Sequence, residues 1–380
     1  MPTRASRTPS VTLFRDFPED NRISMEIYAN QLTAALRGMA HGKLVIRQFV
    51  PRVSRIPWKK APVCSNELRW SRYIAYPLQA RTHQSDINHV LEHGYGHLLW
   101  TLDPKRTVVT VHDLIPLARW SRKISGVSRG RVPFLNLLSV KTLRRARYLV
   151  AISQNTARDL VELCGCDPQK IRVVPYGLSD AFAPRSPDGR RQLRSGFGFP
   201  GRDTYLVLIS GHAFYKNHAA CAHALKALLP TLSRPIKFVR LGRQDLDWEA
   251  AVRALGLTDH IIEIPELPPA RIPDLYNSVD CLLFPSLYEG FGWPVLEAMA
   301  CGIPVVSSDA ASLPEVGGNA SIMVKATDVP AMALAVKDVL ESQELKRSLI
   351  ELGHEQAARF RWSDHASALM RVYEEILEKQ

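Results

Sequence analysis

The sequence has no apolar run of 18 or more residues, which argues against a membrane-spanning helix. Its first ten residues, MPTRASRTPS, are basic and polar and lack the apolar core of a secretion signal. Six cysteines in 380 residues are too scattered for a disulfide framework, and Cys164-Gly165-Cys166 has the wrong spacing for a zinc knuckle. Together these absences point to a reducing cytoplasm. His93 and His97 stand four apart, as helical metal ligands can, but no third ligand accompanies them, so hydrogen bonding or a structural role is the better reading. Acidic residues are scarce in the first half. Residues 1–180 hold 28 Lys/Arg against 13 Asp/Glu, the remainder 21 against 24, and the chain carries +12. A basic half joined to a slightly acidic one calls for an anionic partner on the first.

What is present is ordinary for a soluble globular protein: 46% hydrophobic and 23% charged residues, in a chain long enough for two cores. Short apolar runs alternate with helical periodicity. Val11–Phe14, 43–50, Ile87–Val90, Thr107–Val111, 148–153 and 171–175 read as strands of a first domain. Tyr205–Ser210, Ile236–Leu241, Ile261–Ile264, 281–285 and 303–307 read as strands of a second. Such alternation predicts two doubly wound α/β domains facing across a cleft: residues 1–183, a Pro/Gly/Arg-rich linker at 184–203, and residues 204–362. A last helix within 363–380 is expected to cross back to the first domain.

The densest signal is residues 280–309, DCLLFPSLYEGFGWPVLEAMACGIPVVSSD, which reads as strand, loop, short helix and strand. Gly290 and Gly292 let a backbone approach a ligand closely, and the N–H groups of the helix start make an anion seat. Glu289 and Glu297 bracket that seat. Carboxylates suit paired sugar hydroxyls rather than phosphate, so the combination fits a nucleotide-sugar.

EGFGWPVLE (Glu289–Glu297) resembles the E-x7-E motif of the retaining glycosyltransferases of family four, which have the GT-B fold, and GIPVVSSDAASLPEVGG (Gly302–Gly318) is similar to that family's next strand and loop. The resemblance to bacterial mannosyltransferases in VVTVHDLIPL adds His112-Asp113 at the end of a strand. It implies that Glu297 binds the donor ribose and that Glu289 and His112 meet the transferred sugar. The backbone of Gly290, Phe291 and Gly292 would lie along sugar and diphosphate. Lys216-Asn217 matches the family's phosphate-binding Lys; His212 stands at the usual Arg position, with Arg240 or Arg243 as substitutes, and the loop at Pro265 would meet the base. The paired glycines expected ahead of the first helix are missing, so Asn21, Arg22 and Ser24 would act on the acceptor side through side chains, joined by His97.

On that resemblance His112, Lys216 and Glu289 carry the chemistry, without cofactor or metal. Asp245-Leu246-Asp247, a superficial metal motif, is read instead as a helix start with Asp247 as cap. The implied reaction moves a hexose, with GDP-mannose as the first candidate and UDP-sugars open, to a lipid-linked saccharide or glycolipid. A sugar-nucleotide epimerase of the same fold is the nearest alternative. Residues 119–147 hold nine basic residues and no acid among apolar ones, the signature of contact with an anionic membrane surface, so a peripheral position at the inner face of the plasma membrane is expected. Basic residues interleaved with aromatics at 51–86 allow nucleic-acid stacking, an acceptor seat or plain packing. Nothing in the chain resembles a nucleic-acid module, and no nucleic-acid partner is expected.

Overall fold

Val11–Phe14 and Thr107–Val111 are apolar or β-branched at nearly every position, a pattern that only a sheet covered on both faces can bury. In the computed structural model, which describes residues 7–53, 65–124, 127–211 and 213–379, both runs are strands buried along their whole length. The described residues form two six-stranded sheets, every pairing parallel. Contacts divide the chain into two units, residues 1–177 with 362–380, and residues 178–361.

The first unit contains β1 (Ser10–Phe14), β2 (Val45–Phe49), β3 (Ile87–Val90), β4 (Thr107–Val111), β5 (Tyr148–Ala151) and β6 (Ile171–Val173), in the spatial order β2-β1-β3-β4-β5-β6. The chain leaves β1 to one side and returns to β3 on the other, so the strand order reverses between them. In open parallel sheets, ligands gather beyond the carboxyl ends of the strands at such a reversal. The helix Ile23–Ala40 follows Arg22, which takes the N-cap position without a side-chain cap. Trp362–Leu377 belongs to this unit and packs along that helix, with Trp362 and His365 rings on Tyr28. Part of the aromatic-basic stretch, including Trp58, lies outside the described residues. Tyr76 of that stretch is fully buried and its hydroxyl donates to Arg15 O (2.6 Å), which leaves it no face for a base.

The second unit contains β7 (Tyr205–Ser210), β8 (Ile236–Leu241), β9 (Ile261–Ile264), β10 (Cys281–Phe284), β11 (Val305–Ser308) and β12 (Ser321–Val324), ordered β12-β11-β10-β7-β8-β9. Its reversal lies between β7 and β10. β12 was not expected: it is a short, half-buried edge strand, SIMV. The expected linker at 184–203 is built into this unit. Ser186 caps the helix Pro187–Gly196, and buried Arg194 reaches Asp280 (3.1 Å) and Thr204 O (2.7 Å). The helix after β8 starts at Leu246, not Trp248. Asp245 is its cap, accepting from Trp248 N (3.2 Å), so the expected capping role moves from Asp247.

Candidate active site

At the reversal of the second unit, the loops after β7 and β10 bring two predicted residues into contact. Lys216 Nζ donates to Glu289 Oε1 at 2.7 Å, with both side chains almost wholly withdrawn from solvent. The ammonium also sits 4.5 Å from the centroid of the Phe284 ring. Gly211, at φ +106°, gives the Lys216 side chain room: a Cβ there would lie 2.8 Å from its Cε. Asn217 takes a left-handed conformation (φ 60°) and ties the same loop across the sheet, donating to Pro285 O (3.2 Å) and Ala326 O (2.6 Å).

The loop Glu289–Gly292 is held from below by Ser312, whose hydroxyl lies 3.0 Å from Glu289 O and 2.7 Å from Phe291 O. Gly292 (φ +121°) turns the chain into the helix Trp293–Ala300, and a Cβ at this glycine would meet Leu313 Cδ2 at 2.8 Å. Phe291 is buried with its ring 5.8 Å from that of Phe360, so only its backbone can serve a ligand. Glu297, one turn into the helix, accepts from the Tyr276 hydroxyl (2.8 Å); burial pushes its carboxyl up to about 7, against the Tyr276 hydrogen bond. Ser312 and Tyr276 escape sequence reading because each acts on a residue more than twenty positions away.

The other donor-side residues lie elsewhere in this unit or outside the description. Arg243 and Pro265 are exposed in the loops after β8 and β9, on the far side of β7 from β10. His212 lies outside the described residues. Arg240 is not available as a substitute cation: it is buried, with Nε on Glu263 (2.8 Å) and Nη1 on Arg243 O (2.9 Å).

In the first unit, Arg22, Ser24 and His112 line one cavity of about 320 Å³, and Asn21 and Arg22 a neighbouring one of about 270 Å³. His112 follows β4 and is buried. Its Nε2–H donates to Leu91 O (2.7 Å), its Nδ1 accepts from the Tyr176 hydroxyl, and burial lowers its pKa to about 4. Both nitrogens are engaged, so a sugar hydroxyl would have to displace one of these partners. His97 is corrected from the acceptor side to the core. It is completely buried, with Nε2 on Arg72 O (2.8 Å) and Nδ1 on Ser139 Oγ (3.0 Å), and lines neither cavity. Arg144, Arg145 and Arg147 precede β5 and therefore lie at the opposite end of the strands from His112.

Comparison with known proteins adds two family matches. Residues 190–356 match the model of "Glycosyl transferases group 1" and residues 25–182 that of "Glycosyltransferase Family 4". The chain is 27% identical over 284 residues to O-antigen chain mannosyltransferase B of Escherichia coli, covering 71% of this chain and 70% of that protein. Among solved structures, sucrose-phosphate synthase from Thermosynechococcus elongatus superposes with a TM-score of 0.79 at 17% identity, over 98% of this chain and 100% of that one. HepE from Anabaena, solved in complex with UDP and glucose, superposes with a TM-score of 0.72 at 14% identity, over 97% of this chain and 99% of that one.

Proposed function

The chain belongs to glycosyltransferase family 4 and has the GT-B fold, and from that premise we propose that it transfers a hexose from a nucleoside diphosphate sugar to a saccharide hydroxyl, with retention at the anomeric carbon. The observation that carries this reading is the contact between Lys216 and Glu289 beside the Gly290–Gly292 loop and Glu297, at the strand reversal of the second unit. Phosphate takes Lys216 and the helix start, Glu297 takes the ribose hydroxyls, and Glu289 turns to the hexose. Lys216 supplies the positive charge that the departing diphosphate needs, and no metal enters the scheme.

Attack comes from the face the diphosphate leaves. The C–O bond to the diphosphate breaks as the bond to the acceptor oxygen forms, and the acceptor proton passes to a departing phosphate oxygen. Glu289 is already ion-paired with Lys216, which supports an orienting role over that of a nucleophile.

GDP-mannose is the proposed donor, supported by the mannosyltransferase likeness; a UDP-sugar is the second reading, supported by the UDP in HepE. A lipid-linked acceptor at an anionic membrane surface is supported by the helix Phe134–Thr142, where Phe134 is 75% exposed next to exposed Arg129 and Arg131. No helix of the described residues is long and apolar enough to cross a membrane.

The test is a thermal-shift series with GDP, UDP, ADP and their sugars, followed by NMR of the product anomer. Preferential stabilisation by GDP and an axial-to-axial outcome are expected with GDP-mannose. No stabilisation by any nucleotide, or epimerisation of the donor without acceptor, would contradict the proposal.

A further inference from the structure

The strand reversal of the first unit carries its own cluster of buried charge. Asp16 follows β1 and Glu92 follows β3, the two strands between which the order reverses. Arg22, at the mouth of the helix Ile23–Ala40, reaches towards both: its Nη1 is 3.0 Å from Glu92 Oε2 and 3.9 Å from Asp16 Oδ2. The His93 imidazole lies against the same carboxylate, Nδ1 2.9 Å from Glu92 Oε1.

These are close charge contacts without hydrogen-bond geometry. Glu92 Oε2, His93 Nδ1 and Asp16 Oδ2 are all buried, and none has a hydrogen-bond partner among the described residues, although Glu92 is only 3% exposed. Leaving such atoms unsatisfied costs free energy, which a hydroxyl reaching them from the cavity would recover. Glu92 and His93 line the larger of the two cavities, Asp16 the smaller, and Arg22 borders both. Gly94 fits the same purpose: a Cβ there would stand 2.5 Å from Glu92 Oε2 and push the carboxylate out of position.

The charges narrow the ligand. Arg22 is matched by Glu92 and Asp16, and His93 by Glu92. Arg72 is matched by Asp20, which also accepts from the Tyr95 hydroxyl (2.5 Å). A phosphate entering here would meet cations already committed, with Glu92 and Asp113 facing the same cavity. A neutral polyol meets no such penalty. Its hydroxyls both give and accept, and adjacent pairs suit a carboxylate beside an imidazole or guanidinium.

Resting on the glycosyltransferase reading, we propose that this cavity takes the uncharged, hydroxyl-bearing end of the acceptor, with Glu92 and His93 as the pair that determines acceptor specificity. Glu92 accepts from one hydroxyl, and His93 and Arg22 address its neighbour.

Saturation-transfer NMR on the full chain tests this with methyl α-D-mannopyranoside, the glucoside, the galactoside and mannose 6-phosphate as probes. The wild type is expected to transfer saturation to at least one neutral glycoside and less to the phosphate. Glu92→Gln and His93→Gln should each lower that signal about tenfold or more. Gly94→Ala, which displaces Glu92 without removing it, should lower the signal too, and guards against a folding defect in the first two. Stabilisation by GDP or UDP should be the same in all four proteins. Undiminished transfer in the three variants, preference for mannose 6-phosphate, or no transfer to any glycoside would overturn the proposal. Loss of nucleotide stabilisation in the wild type would instead strike at the glycosyltransferase reading.

Discussion

Lys216 and Glu289 neutralise one another in a place with little solvent, so the effects of replacing them are separable. Lys216→Ala should lower kcat about a hundredfold. It should also lower the melting temperature, because the Glu289 carboxylate is left buried and unmatched. Adding Glu289→Gln should restore the melting temperature without restoring turnover; recovery of both would deny Lys216 its place on the phosphate. Glu297 gives a second residue-level expectation. Its carboxyl titrates near 7 because it is buried, and a protonated acid accepts poorly from ribose hydroxyls. Donor affinity, measured by calorimetry, should therefore fall as pH drops through about 7, and Glu297→Gln should flatten the profile. Glu289 and Glu297 were singled out by a motif of fixed spacing and Lys216 by the resemblance of its loop, and the structure brings Lys216 and Glu289 into contact. Glu92 was not singled out in the sequence, and His93 only beside His97, since what distinguishes the pair is an unmet hydrogen bond, which no spacing encodes.

The inner strands β3, β4, β7 and β8 and the edge strand β9 have the expected bounds, each a compact run bounded by polar or turn residues. The helix after β8 starts two residues early because Asp245 rather than Asp247 takes the cap. The edge strand β12 was missed because an apolar run of four residues does not by itself separate strand from helix. The loops after β7 and β8 depend on a meeting of two glycines. At Gly242 (φ +151°), a Cβ would fall 2.1 Å from Gly211 O, backbone against backbone. Gly242→Ala should cost about 1–3 kcal/mol of stability in denaturant unfolding. It should also weaken donor binding by moving the Lys216 loop. A variant with unchanged midpoint and unchanged affinity would show that the close approach is dispensable.

At the scale of the molecule, two doubly wound units were legible because strand and helix alternate on both sides of residue 177. The place of residues 184–203 was not: the Arg194–Asp280 pair that fastens them to the second unit spans 86 positions. The first unit also buries histidines. Burial holds His97, His112 and His365 at about 4 and His89 at about 3, each engaged as a neutral ring. Their folded pKa values lie below the unfolded value of about 6.5, so this stability is intact above pH 6.5 and is lost as pH falls towards 4, and for His89 towards 3, at roughly 3–5 kcal/mol for each ring at most. Melting of the first unit should shift down steeply between pH 7 and pH 5, and a flat pH profile would contradict neutral burial.

The central claim is that the loop between β10 and the helix Trp293–Ala300 grips an activated sugar. The most direct measurement is a crystal structure of the chain with GDP-mannose or a UDP-sugar bound. The account predicts diphosphate within hydrogen-bond reach of Lys216 and the Gly292 backbone, and ribose hydroxyls on Glu297. Density for the nucleotide at any other surface, with the Lys216–Glu289 pair undisturbed, would contradict it.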